Sequence, residues 1–464
     1  MWQTIKENHL KVKKELGEVS SSFCLAKWSQ LTLYLQNGYN HSCHYPSPHK
    51  IPLREVQRNP KALHNTRYKK QQMKKMLRGD RPSECEYCWK IEDLGDDYFS
   101  ERIYKSGNSF SQIKKDEILE KGTRDIEPSY LEVSFSNTCN MKCAYCTHSN
   151  STTWLEEIER FGSYPTSNNY NRLEEDKRTY KQSEENPYVE AFWKWWPELY
   201  PKLHTLRITG GEPLLSKDTW KVMDELIENP NPNLIFCVNT NLMVPDNLID
   251  KLVEKLNQLD GKVKEIQIFT SGESVGSQNE YIRYGLKYEV WQKNFEKVLS
   301  NVKNVLASCM TAVNILTVES YCEFVRYLLE LRSIYNKEVD YNKVQFVNNF
   351  LIYPEFLSIV NLDNETKDKF KAEVEKLIEE RTWGKYEDGN GCLTNEQTNQ
   401  LQGLIEHMYK NTYDEKTTNI HRSDFVNFVD EYDKRRGTDF KSTFKELNNY
   451  YTLCQKRVYK IPQR

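Results

Sequence analysis

Beyond about residue 129 the chain alternates two kinds of segment. Short β-branched or aromatic runs, "YLEVSF", "LHTLRIT", "NLIFCVNT", "VKEIQIFT", "NVLASCMTAVNIL" and "KVQFVNNFLI", read as strands. Between them "SKDTWKVMDELIEN", "PDNLIDKLVEKLNQL", "EVWQKNFEKVLSNV" and "VESYCEFVRYLLELRSIY" read as helices, the second opened by Pro245 and Asp246. Strand then helix, repeated about six times, predicts an α/β fold with a parallel sheet and crossover helices. The count suits a barrel or partial barrel. An open doubly wound sheet stays an alternative, because spacing alone does not close a barrel. A chain of 464 residues leaves room for two or three domains.

The first strand runs directly into "SNTCNMKCAYCTHSN", with Cys139, Cys143 and Cys146 spaced C-x3-C-x2-C. Structural zinc takes four ligands, and a ferredoxin-type cluster takes four cysteines. Here there are three. Three thiolates on one loop can hold three irons of a 4Fe-4S cube and leave the fourth open to an exogenous ligand. The loop also lies at the C-terminal end of a strand, where strand–helix folds bind ligands. After the second strand comes "GGEP", Gly210, Gly211, Glu212 and Pro213. Glycines allow close backbone approach, and a carboxylate can accept hydrogen bonds from an ammonium.

The cysteine loop, with Tyr145 at the position before the third cysteine, resembles the signature of the radical S-adenosylmethionine (SAM) superfamily. "GGEP" resembles the motif with which that family receives the methionine amino group. The resemblance implies a partial (β/α)6 barrel over residues 126–355 and a 4Fe-4S cluster on Cys139, Cys143 and Cys146. It also implies SAM on the open iron. Reductive cleavage of SAM would then give a 5′-deoxyadenosyl radical that abstracts hydrogen from a substrate. Asn239, Thr240 and Asn241 end the third strand, and Ser271 and Arg283 follow the fourth. They resemble the family's contacts to SAM, with the Arg fork suited to a carboxylate. Position alone assigns the adenine pocket to Asn314 and Phe346–Asn348.

Upstream, Cys24, Gly38 and Cys43 read as C-x13-G-x4-C, and "CEYC" adds Cys85 and Cys88. This resembles the SPASM/twitch extension of radical SAM proteins, here placed before the core instead of after it. It implies a twitch-like domain at residues 1–125 with an auxiliary Fe–S cluster on these four cysteines; zinc is the alternative. His41 and His44 beside Cys43 are expected to face solvent. "PKALHNTRYKKQQMKKMLRGDRP" reads as a basic helix opened by Pro60, capped by Gly79 and solvated on its charged face.

The remaining cysteines, Cys237, Cys309, Cys322, Cys392 and Cys454, are scattered, and burial as small apolar side chains is their simplest reading. Residues 156–190, polar and poor in aliphatics, are expected to be a surface insertion, decorative or lid-like. Residues 356–464 read as a helical region built from "NETKDKFKAEVEKLIEER", "NEQTNQLQGLIEHM" and "FKSTFKELNNYY", with "EDGNGC" as a loop.

The charges nearly cancel, 65 basic against 67 acidic, which argues against a nucleic-acid partner. No apolar run spans a bilayer and the first residues do not resemble a secretory signal, so a cytoplasmic protein is expected. The resemblance implies an electron donor such as flavodoxin or ferredoxin and favours a peptide or protein substrate. The competing class is a non-enzymatic Fe–S or zinc scaffold or electron-transfer module.

Overall fold

The structure is a computed structural model describing residues 2–95, 98–173, 178–337, 339, 341–382 and 390–456. Parts of the expected insertion (174–177) and of the "EDGNGC" loop (387–389) lie outside the described residues. The strands are β1 Gln30–Tyr34, β2 Tyr39–His41, β3 His49–Lys50, β4 Tyr130–Ser134, β5 Lys142–Cys143, β6 Thr205–Thr209, β7 Asn231–Asn239, β8 Val263–Ser271, β9 Arg283–Tyr284, β10 Val305–Val313 and β11 Val344–Phe350. The fold is α/β with largely parallel pairing, and the six expected strands are present as β4, β6, β7, β8, β10 and β11. The chain divides into two compact units.

The first unit comprises Met1–Asn137, Arg178–Val238 and Gly261–Glu265. In it β7, β6, β4 and β1 pair in parallel, and β1, β2 and β3 continue antiparallel. The β1 strand lies inside the cysteine-rich segment yet pairs with β4 along its whole length, Gln30 against Tyr130 to Tyr34 against Ser134. Its Leu31, Thr32 and Leu33 are buried, as in a strand covered on both faces. Phe23, Leu25, Trp28, Met73, Met76, Trp89, Ile103 and Ile118 build an apolar core beside it.

The basic helix starts later than expected. Pro60–Leu63 is a separate 3-10 turn, and the helix runs Arg67–Leu77. Thr66, not Pro60, caps it by accepting from the Lys69 amide. Gly79 closes it as expected at φ +85°, with its amide on the Met76 carbonyl and that of Asp80 on the Lys75 carbonyl, a Schellman cap. Its charged face is solvated except at Lys69, which is buried with Nζ 2.8 Å from His64 Nδ1.

The second unit comprises Thr138–Lys177, Asn239–Asp260 and Ile266–Arg464. Its part of β8 pairs with β10, and β10 with β11, all parallel; β5 and β9 form a two-stranded antiparallel ribbon. Residues 156–171 are not a surface decoration: Glu157, Ile158, Tyr164, Tyr170 and Asn171 are buried. Aromatic rings supply the burial that an aliphatic count misses, with Tyr164, Tyr170, Phe356 and Phe428 in mutual contact.

A 22-residue helix, Glu415–Arg436, was not foreseen. Asp414 caps its start, and Gly437, left-handed at φ +67°, ends it. The stretch "FKSTFKELNNYY" is not one helix either: Phe440–Thr443 and Asn448–Gln455 are helical, with Asp439 capping the first. No helix among the described residues is long and apolar enough to cross a membrane. The five scattered cysteines are all buried, as expected.

Candidate active site

The three-cysteine loop belongs to the second unit, and its backbone is pinned at every cysteine. The Thr152 hydroxyl lies 3.2 Å from the Cys139 amide and 3.3 Å from its carbonyl. Trp154 Nε1 donates to the Cys143 carbonyl at 3.0 Å. The Cys146 carbonyl accepts from Tyr170 Oη at 2.7 Å and Asn171 Nδ2 at 3.1 Å. The Cys146 amide turns back onto the Cys143 carbonyl, and the Ala144 amide bonds the Ile282 carbonyl. Thr152 and Trp154 follow within one helix, Thr152–Phe161, so the sequence just after the cysteines builds the loop's own floor.

That floor rests on a buried charge network. Glu157 accepts from Lys142 Nζ at 2.7 Å, Tyr164 Oη at 2.7 Å, and Arg436 Nε and Nη2 at 3.1 and 3.2 Å. Arg436 Nη1 donates to the Lys142 carbonyl at 2.8 Å, one residue before Cys143. Its guanidinium stacks on Tyr432 at 3.8 Å and Trp154 at 4.5 Å. Burial opposes the Glu157 charge, but Arg436 and its other donors hold that carboxyl below its ordinary range.

A second network flanks the cysteines. In the β5–β9 ribbon Cys143 is opposite Arg283. Gly285, at φ +105°, lets this ribbon close, since a Cβ there would lie 2.9 Å from the Asn140 carbonyl oxygen. Arg283 donates from Nε (3.0 Å) and Nη2 (2.7 Å) to Glu273, from Nη2 to Tyr145 Oη, and from Nη1 to Cys143 Sγ at 3.6 Å. Tyr145 Oη donates to Glu273 at 3.0 Å. Arg283, expected to face a carboxylate, therefore faces one inside the protein. Desolvation works against its charge, but Glu273 holds it well above its ordinary pKa.

Of the other expected residues in this unit, Asn241 comes to the loop, with Nδ2 2.9 Å from Asn140 Oδ1 and 4.0 Å from Cys139 Sγ. Asn239 contacts the Met310 sulfur, and Ser271 ends β8 in register with Met310. Asn314 is buried and caps a 3-10 turn. Phe346 and Asn348 are buried in β11, where Asn348 accepts from Tyr321 Oη. Glu273, Glu157 and Arg436 were missed. Glu273 stood in plain view two residues after Ser271, whereas Arg436 gave no signal beyond the basic last turn before Gly437.

"GGEP" belongs to the first unit. Gly210 has φ +134°, and a Cβ there would meet the Ser136 carbonyl oxygen at 2.7 Å. The Gly211 amide donates to that same carbonyl at 3.1 Å. Glu212 is buried and accepts from the Leu214 amide at 3.0 Å, capping the turn Pro213–Leu215. A cleft of about 780 Å³ beside the motif is walled by Ser136, Leu215, Trp193, Asp218 and Lys221.

The four early cysteines, also in the first unit, line one cavity with Met76, Trp89, Arg102 and Lys105. Cys85 and Cys88 lie one turn apart at the start of the helix Glu86–Glu92. Burial pushes both thiols up to about 12, and nearby Cys24 adds to it. The rings of Tyr45 and Tyr87 stack 3.8 Å apart at the rim. Gly38, at φ +68°, is required because a Cβ would enter the Tyr188 ring. His41 does not face solvent as expected: it is buried, stacked on Tyr34, and bonded through Nδ1 to the Cys43 carbonyl. Burial holds it neutral, with its pKa lowered to about 4. His44 is exposed, as expected.

None of the twelve cysteines is in a disulfide. Among the described residues no group of three or more His, Cys, Asp or Glu is arranged to hold a metal ion. A single zinc ion would need its thiolates about 2.3 Å from one point. A cluster instead takes each thiolate on a different iron and spreads them wider. The three cysteines of the loop, half-buried and all-sulfur, fit the donor set of a cluster better than a closed four-ligand ion site, whereas four thiolates such as Cys24, Cys43, Cys85 and Cys88 suit either a cluster or a zinc ion.

Residues 133–328 match the model of the Radical SAM superfamily. No curated protein matches the chain.

Proposed function

We propose, from the match of residues 133–328 to the Radical SAM superfamily, that the chain is an enzyme using Cys139, Cys143 and Cys146 to hold a 4Fe-4S cluster. Loaded, such a site would supply one electron to SAM, splitting the sulfonium into methionine and a 5′-deoxyadenosyl radical able to abstract hydrogen. The observation that carries this reading is the loop itself: three thiolates with every backbone anchor made by protein groups and no fourth cysteine. Pinning from Thr152, Trp154, Tyr170 and Asn171 fixes where the three sulfurs stand before any iron arrives. Glu212 is proposed to receive the SAM ammonium, where its charge supplies a strong acceptor. Asn239, Asn241 and Ser271 are proposed to orient the rest of SAM.

Cys24, Cys43, Cys85 and Cys88 are proposed to hold an auxiliary cluster of the twitch type; their shared cavity supports this. His41 would orient the Cys43 backbone. A peptide or protein substrate is proposed on the strength of the auxiliary cysteines, together with an external one-electron donor.

The test is iron, sulfide and 5′-deoxyadenosine after anaerobic reconstitution. Wild type is expected to carry about eight irons, the count of two 4Fe-4S clusters. A triple Cys139→Ala/Cys143→Ala/Cys146→Ala variant should keep about four and form no 5′-deoxyadenosine, and Cys85→Ala should lose only the auxiliary cluster. Zinc in place of iron in wild type would hand the case to a structural scaffold.

A further inference from the structure

We propose that Arg283 is a positioning residue that sets the reduction potential of the cluster on Cys139, Cys143 and Cys146, through an N–H···S hydrogen bond to Cys143 whose charge Glu273 balances. The inference rests on the radical SAM reading above and assigns Arg283 to the cluster side of the site.

The geometry is specific. Opposite Cys143 in the two-stranded ribbon, Arg283 brings Nη1 to 3.6 Å from Sγ. Glu273 takes Nε and Nη2, and Tyr145 Oη lies against Nη2, so four of the five N–H groups are engaged. The side chains of Arg283 and Glu273 are 8% and 0% exposed. A planar guanidinium held at three points cannot swing away as a lysine could.

A cluster gains negative charge on reduction. A cation and an N–H dipole aimed at a ligand sulfur favour the reduced form, and more so where water is excluded. Glu273 opposes this by neutralising the cation. Removing either partner should therefore move the potential, and in opposite directions.

The experiment is an EPR-monitored redox titration of the full reconstituted chain, as wild type, Arg283→Gln and Glu273→Gln. The signal that persists in the triple Cys139/Cys143/Cys146 alanine variant is subtracted. Arg283→Gln should shift the midpoint negative and Glu273→Gln should shift it positive, each at wild-type iron content. A merely structural role predicts no shift in variants that keep their iron, not opposite signs. Unmoved potentials, or shifts of the same sign, overturn the proposal. So does an unmoved potential in Arg283→Gln with loss of the SAM-induced spectral change, which would give Arg283 to the SAM carboxylate instead. If Arg283→Gln takes up no iron, the near-isosteric Glu273→Gln decides alone: a positive shift supports the proposal, and none or a negative one overturns it. A wild type with no cluster signal dependent on the three cysteines would overturn the radical SAM reading itself, which a titration with the signal present and the midpoint unmoved would not.

Discussion

At the residue scale, Gly210 shows how a backbone requirement can be checked. Its φ of +134° is a conformation that side chains with a Cβ rarely adopt, and the nearest obstacle is a backbone oxygen that cannot rotate away. Gly210→Ala should destabilise the chain by about 1–3 kcal/mol, read as a lower denaturant midpoint, because the Ser136–Gly211 hydrogen bond must shift. The turn at Gly210 and the cap made by Glu212 were legible in the sequence because tight turns admit few residue types. Glu273 was harder to see, since its role depends on a partner ten residues later, brought close by a two-residue strand. His41 was misread because it ends strand β2, paired with Thr32 of β1 and stacked on Tyr34, instead of lying in a loop.

At the scale of elements, the strand–helix alternation was legible almost to the residue, because periods of 2 and 3.6 are written directly into the pattern. The helix Glu415–Arg436 was not. Its buried residues, among them Phe425, Phe428, Val429 and Tyr432, all lie from Ser423 onward, while the first two turns are polar, so no continuous stripe marks it. Yet this helix carries Arg436 to the floor of the cysteine loop. Arg436→Ala would leave Glu157, 2% exposed, with only Lys142 and Tyr164 as partners. The expected cost is about 3 kcal/mol, the low end for breaking a buried pair. A denaturation midpoint should report it, together with reduced iron retention at the three cysteines.

At the scale of the whole molecule, the cysteine-rich segment and the strand–helix core share hydrogen bonds. β1 covers one side of β4 along all five of its residues. Removing residues 1–125 would therefore uncover a row of unpaired backbone groups on β4, a template for association with other chains. Such a truncated chain should elute as aggregate in size-exclusion chromatography, while full-length protein with its early cysteines replaced should not.

The same pairing has a consequence in time. Gln30 meets Tyr130, its partner 100 residues further along the chain. At a synthesis rate of roughly 5–20 residues per second, "QLTLY" leaves the ribosome on the order of 5–20 s before the strand it must pair with. Through that interval the strand waits unpaired, with Cys24 and Cys43 on either side of it, and is open to association until the sheet can form.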